Sequence, residues 1–215
     1  MRYKAVLFDM DGTILDTLED LKSAVNRTLR EFSMPECSLE QIRCYVGNGA
    51  LRLIERAVPT GTSPEKIQEV LAWYKDYYDK NSIISTCPYP GINELMTELK
   101  ERGMKLAVVS NKPDSTVREL AERFFPGLFQ CAIGQQDSIA RKPAPDMLYL
   151  AVNEMGTQLS DCVYVGDSEV DIITARNAGM DCISVLWGFR TLEELAQSQP
   201  QCVVHTAQEL LEKLI

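Results

Sequence analysis

The chain has 215 residues, 45% of them hydrophobic and 25% charged, with a net charge of -9. This is the make-up of an ordinary globular protein with room for one full core and a smaller second unit. The acidic balance, with no basic cluster, argues against nucleic acid and anionic membrane surfaces as partners; an anionic substrate would have to be attracted locally.

The first predicted element is the apolar run Ala5-Val6-Leu7-Phe8, which reads as a buried parallel strand over 4–8. It ends abruptly in Asp9-Met10-Asp11-Gly12-Thr13. In an extended chain, residues two apart face the same side, so Asp9 and Asp11 can aim at one spot. Two like charges about 4 Å apart repel by roughly 4 kcal/mol at an effective dielectric near 20. A cation, a proton or distance must offset that. Gly12 frees the backbone to leave the strand line. Taken alone, the stretch also reads as a strand followed by an acidic turn that caps the next helix.

A helix over 17–32 follows, with Leu18, Leu21, Val25, Leu29 and Phe32 at helical spacing and Asp16 or Thr17 as N-cap. Further helices are expected over 38–46, 50–58 and about 64–81, with a Gly47-Asn48-Gly49 break between the first two and Pro64 opening the third. Leu71, Trp73, Tyr74, Tyr77 and Tyr78 read as a packed helix face rather than a ligand pocket. Pro88-Tyr89-Pro90-Gly91 is punctuation suited to a domain boundary or hinge.

Beyond Gly91 the rhythm becomes alternating helix and strand. Strands are expected over 104–109, 131–133, 162–165, 182–186 and 202–204. Helices are expected over 92–102, 114–124, 146–155, 170–178, 192–196 and 207–214. Repeated βα units imply a Rossmann-like α/β core, a parallel sheet with helices on both faces. The first strand belongs to that sheet, so the α-helical block is an insertion. The expected division is a core of 1–15 and 83–215 and a helical unit of 16–82.

The seven cysteines are odd in number and scattered, with no CxxC, which favours buried reduced thiols over disulfides or zinc. There is no signal-peptide pattern, and no segment nears the roughly 20 apolar residues that span a bilayer. A cytoplasmic protein is expected, monomeric or homodimeric.

In open α/β sheets, ligands sit at the carboxyl ends of the strands. Reading only those ends gathers Asp9 and Asp11, Ser110 and Asn111, and Asp167. Lys142 lies in a loop before a helix, biased to an extended backbone by Pro143. Asp171 lies four residues past Asp167, on the same helix face. Singly, each has an ordinary reading: a surface lysine, a turn serine, a helix N-cap. Jointly, carboxylates, one hydroxyl, one cation and free amides suit a hard divalent cation, Mg2+, together with a phosphate. Asp9, Asp167 and a main-chain carbonyl near Asp11 can supply metal ligands. Ser110, the amide of Asn111 and Lys142 can hold phosphoryl oxygens. Asp9 can act as a nucleophile on phosphorus, with Asp11 as general acid and base.

With these residues in place, the chain resembles the haloacid dehalogenase superfamily over nearly its full length. The four motifs are Asp9-Met10-Asp11-Gly12-Thr13, Ser110-Asn111, Lys142, and Gly166-Asp167-Ser168-Glu169-Val170-Asp171. The helical insertion resembles that superfamily's α-helical cap, which closes over substrate. The resemblance implies a nucleophile at Asp9, an acid/base at Asp11, phosphate contacts from Ser110 and Lys142, Mg2+ on Asp9 and Asp167, and support of the metal site from Asp171. Val46-Gly47-Asn48-Gly49, Pro90-Gly91 and Trp187-Gly188 make the chain look most like the phosphoglycolate phosphatases. Gly47, Asn48 and Gly49 would then be a substrate loop rather than a plain turn, and Arg43 and Arg52 would meet a substrate carboxylate unless they are ordinary exposed helix arginines.

A 2-haloacid dehalogenase would not need Asp11 or the metal acids. A phosphonate hydrolase would need a lysine near the start of the insertion, and 27–65 holds none. A sugar phosphomutase, a sugar phosphatase and a pyrophosphatase share the same site. A phosphate-binding regulatory protein would be expected to show damage at Asp9, Asp11, Lys142 or Asp167, and none is damaged. A small phosphorylated metabolite is the expected partner. His205 has no part in this chemistry.

Overall fold

In a computed structural model that describes residues 2–215, strand β1 (Ala5–Phe8) is buried at every residue. Each fully buried large apolar side chain in such a strand is worth about 1.5–3 kcal/mol. The chain then forms the two-residue strand β2 (Leu15–Asp16) and helices α1 (Leu18–Glu31), α2 (Leu39–Tyr45), α3 (Gly49–Ala57) and α4 (Pro64–Asn81). It returns through β3 (Cys87–Pro88), which pairs with β2. The remainder alternates: α5 (Ile92–Glu101), β4 (Lys105–Pro113), α6 (Asp114–Phe124), β5 (Cys131–Gln135), α7 (Asp146–Glu154), β6 (Cys162–Gly166), α8 (Glu169–Ala178), β7 (Asp181–Val185), α9 (Leu192–Ala196), β8 (Val203–Val204) and α10 (Ala207–Leu214).

The chain divides into two compact units, one holding residues up to Leu15 together with Pro88–Ile215, the other Asp16–Cys87. In the first unit, six strands form a sheet in the order β5-β4-β1-β6-β7-β8. Every pair is parallel. β1 is central. The chain adds β4 and β5 on one side of it and β6, β7 and β8 on the other, so the strand order reverses at β1. One core cluster joins Leu7, Ala107, Ile133 and Tyr164 of the sheet to Leu148, Ala151, Ile172 and Ala175 of the helices.

Strand β4 runs further than its apolar stretch predicts. Ser110 and Asn111 lie inside it, because after an irregularity beyond Val109 the strand pairs again, Pro113 with Gln135. The two-residue strands β2 and β3 were too short to show a pattern of their own.

The second unit is entirely helical apart from its ends. α2 starts on a reciprocal cap, with Gln41 N donating to Ser38 Oγ (3.2 Å) and Ser38 N to Gln41 Oε1 (2.8 Å). α4 starts on Ser63, with Pro64 in its first turn. The aromatics of α4 stack along the helix, Trp73 on Tyr77 and Tyr74 on Tyr78, with centroids 5.3 and 5.5 Å apart. Tyr74 and Tyr78 are buried. In the first turn of α1, buried Asp20 accepts from the amides of Ile84, Ser85 and Thr86 and from the Thr86 hydroxyl, at 2.8–3.0 Å.

Four of the seven cysteines are buried. Among the described residues, no helix is long and apolar enough to cross a membrane.

Candidate active site

Strands β1 and β6 end together, and β4 runs on beside them. Phe8 sits level with Val108 of β4 and Val165 of β6. Asp9 follows it, and its amide continues the ladder to Val165 O at 2.8 Å. Asp167 follows the last residue of β6 directly. This is the crevice expected where a parallel sheet reverses its strand order.

Lys142 enters from the loop between β5 and α7. Asn111 holds that loop by a paired contact: Lys142 N donates to Asn111 Oδ1 (2.9 Å), and Asn111 Nδ2 donates to Lys142 O (3.1 Å). The side chain of Asn111 is thereby engaged with the loop. The buried Lys142 ammonium then reaches Asp9 Oδ1 (2.8 Å), Asp171 Oδ1 (2.8 Å) and the Tyr164 hydroxyl (2.9 Å). An ammonium has three donors, and all three are used.

Asp171 has no exposed surface and both oxygens are engaged. Oδ2 accepts from Ser168 N (3.1 Å) and Ser168 Oγ (2.6 Å), closing a cap at the start of α8. Oδ1 takes Lys142 and lies 3.0 Å from the Tyr164 hydroxyl. Asp171 therefore anchors the lysine and the helix start.

Asp167 is held from the opposite side by the loop after β7. Phe189 N donates to its Oδ2 at 2.7 Å. Trp187 Nε1 donates to Thr13 O at 2.9 Å, fastening the same loop to the turn after β1. Two glycines make this closeness possible. A Cβ on Gly12, whose φ is 81°, would strike the Asp167 carboxylate. A Cβ on Gly188 would collide with Gly12 O and with Asp167.

Ligand oxygens of Asp9, Asp167 and Asp171 all lie within 4.8 Å of one another. Three buried carboxylates against one ammonium leave two excess negative charges in a poorly solvated spot. Burial raises the Asp9 carboxyl to about 7; Lys142 opposes this, and Asp171 and Asp11 add to it. Burial also pushes Asp167 well up, reinforced by Asp171 and Asp9 and resisted by the Phe189 amide and Arg190. Burial works against the charge on Lys142, but Asp171 and Asp9 outweigh it and hold its pKa above the ordinary lysine range. Such a site is electrically incomplete, and an all-oxygen donor set with two surplus charges fits a hard divalent cation.

Asp11 is placed differently. Its carboxylate pairs with Lys112 Nζ at 3.0 Å, on the β4 side of β1. Among the described residues it lies outside the acid cluster. Ser110 is buried, and its hydroxyl accepts from Lys112 N at 3.3 Å.

Gly47, Asn48 and Gly49 belong to the helical unit, where Asn48 is the N-cap position of α3. Arg43 pairs with Glu40 (2.7 Å) and Arg52 with Glu55 (2.6 Å), both one turn away on their own helices. His205 is exposed, and its amide donates to Glu209.

Sequence reasoning missed Lys112, Tyr164 and the Phe189 amide. Tyr164 sits within an apolar strand and reads as core. Lys112 follows the recognised Ser110-Asn111 pair by a single residue, and that proximity was the available signal. Trp187-Gly188 was singled out without a role.

The family model described as "Haloacid dehalogenase-like hydrolase" matches residues 6–185. A phosphoglycolate phosphatase of Haemophilus influenzae is 34% identical over 98% of this chain and 97% of its own length. One from Pseudomonas syringae pv. tomato is 31% identical over 97% of this chain and 78% of its own. A solved structure from Lactobacillus delbrueckii subsp. bulgaricus, assigned by inference as a phosphoglycolate phosphatase, is 40% identical, covers 100% of this chain and 99% of its own, and has a TM-score of 0.95.

Proposed function

Since the chain belongs to the haloacid dehalogenase-like hydrolases, we propose that it is a Mg2+-dependent phosphatase acting on a small phosphate monoester, phosphoglycolate first among them. The observation that carries this reading is the convergence of Asp9, Lys142, Asp167 and Asp171 at the strand ends flanking β1. The names of the relatives supply the substrate class.

Asp9 is the nucleophile. Its carboxylate attacks phosphorus, the bond from phosphorus to the ester oxygen breaks, and an aspartyl-phosphate forms. Asp11 gives its proton to the departing oxygen. It then takes one from the water that attacks the aspartyl-phosphate, releasing inorganic phosphate and restoring Asp9. Lys142 aims Asp9 and carries positive charge toward the phosphoryl oxygens. The Ser110 hydroxyl and the Asn111 amide offer further donors. Asp9, Asp167 and the main-chain carbonyl of Asp11 would hold Mg2+, and the ion would supply charge that offsets the acids and the phosphoryl oxygens. Asp171 supports the site through Lys142. The helical unit 16–87 is the cap that reads the leaving group, with Gly47, Asn48 and Gly49 as its substrate loop and a cytoplasmic metabolite as its target.

The test is phosphate release from phosphoglycolate, sugar phosphates, nucleotides, pyrophosphate and an aryl phosphate, with Mg2+ or EDTA and with Asp9→Asn as the blank. Mg2+-dependent preference for phosphoglycolate supports the whole reading. Preference for sugar phosphates keeps the mechanism and replaces the substrate. No release from any ester by the folded protein rejects it.

A further inference from the structure

We infer that Lys112 is the positioning residue of Asp11, holding the acid/base carboxyl apart from the nucleophile. The inference rests on the phosphatase reading above and adds to it a residue that reading does not use.

Asp9 and Asp11 leave β1 two residues apart, and left alone they would compete for the same space and the same cation. Each has its own ammonium instead. Lys142 takes Asp9 toward Asp171, which follows β6. Lys112, from β4 on the other side of β1, takes Asp11 at 3.0 Å. The lysine side chain is 4% exposed and the Asp11 side chain 19%, so the pair is shielded on one side and open to solvent or substrate on the other.

The segment that carries Lys112 is fixed at both ends. Ahead of it, Lys112 N donates to Ser110 Oγ. Behind it, Pro113 pairs with Gln135, and Asp114 Oδ1 accepts from Gly134 N (2.9 Å) and Gln136 Nε2 (3.1 Å). Lys112 lies within the irregular stretch between Val109 and Pro113, and its ammonium reaches Asp11 from there. An ammonium on a pinned backbone fixes the direction of a carboxylate two residues from the nucleophile. A general acid must meet its oxygen within hydrogen-bond reach, so that direction decides whether the leaving group is protonated in the transition state.

The experiment compares Lys112→Met, Lys112→Arg, Asp11→Asn and the double variant Lys112→Met/Asp11→Asn, using an alkyl phosphate whose leaving oxygen needs a proton. Lys112→Met is expected to lower kcat by about 10²-fold with little change in KM. Lys112→Arg recovers part of it. The double variant is no slower than Asp11→Asn alone, because Lys112 acts through Asp11. A raised KM with unchanged kcat, or losses that multiply in the double variant, overturns the proposal, since Lys112 would then touch the substrate itself. A crystal structure of Lys112→Met needs no turnover: an Asp11 carboxyl turned from its place supports the proposal, and an unmoved one overturns it. Absence of phosphatase activity in the unaltered protein would reject the function while leaving that structural result to decide the role of Lys112.

Discussion

Raising the pH on the metal-free protein should weaken its fold. Burial first, then Asp171 and Asp11, lift the Asp9 carboxyl from 3.8 to about 7 against the pull of Lys142. Between those values the folded chain keeps a proton that the unfolded chain has lost. The associated stability is therefore complete below the unfolded value and declines as pH rises through the folded one. A rise of about three pK units is on the order of 4 kcal/mol for Asp9 alone, and Asp167 shifts in the same direction. For a chain of this size that is roughly 10 °C in the thermal transition. Scanning calorimetry in EDTA from pH 5 to pH 8, which spans about two of those three units, should show about two thirds of that fall, and saturating Mg2+ should flatten the slope. At a hundred times Kd the cation adds about 2.7 kcal/mol. Asp9→Asn should remove much of the slope. A transition that holds level or climbs with pH in EDTA, or that ignores Mg2+, would refute the picture of surplus buried charge.

Asp9→Asn should abolish phosphate release while circular dichroism stays native-like and unfolding stays cooperative; activity near that of the unaltered protein would sink the nucleophile. Lys142→Met strips the ammonium from Asp9 and Asp171, and equilibrium unfolding in urea near neutral pH should show a loss of about 3–5 kcal/mol. Gly188→Ala drives a methyl into Gly12 O and Asp167; isothermal titration should show Mg2+ affinity falling by at least tenfold, and an unchanged affinity would mean that the loop after β7 does not place Asp167.

The middle of the sheet was legible because β1 and β6 are buried along their whole length, so each is an unbroken apolar run with a polar stop, as from Val163 to Asp167. The acids were legible because a carboxylate at such a stop is costly without a partner. The partners were harder to see. Tyr164 meets Lys142 only because β6 lies beside β1 and the lysine loop folds back over both, and neither fact has a local pattern. Lys112 lies beyond the strand expected over 104–109, because nothing before Gln135 shows that β4 resumes. The hold on Asp167 comes from a backbone amide, at Phe189, which any residue except proline could donate.

Asp20 gathers residues 84–86 onto the first turn of α1 with four hydrogen bonds. The helical stretch thus ties its own exit to its own entrance. Closing a flexible loop of roughly 70 residues costs on the order of 4 kcal/mol, and this stretch meets that demand internally rather than leaving it to the sheet. The ends of the block are therefore fixed by residues of the block itself. On the proposed reading, in which this block meets the leaving group, the part of the chain that would choose the ester is closed on itself, separately from the acids and lysine that would cleave it.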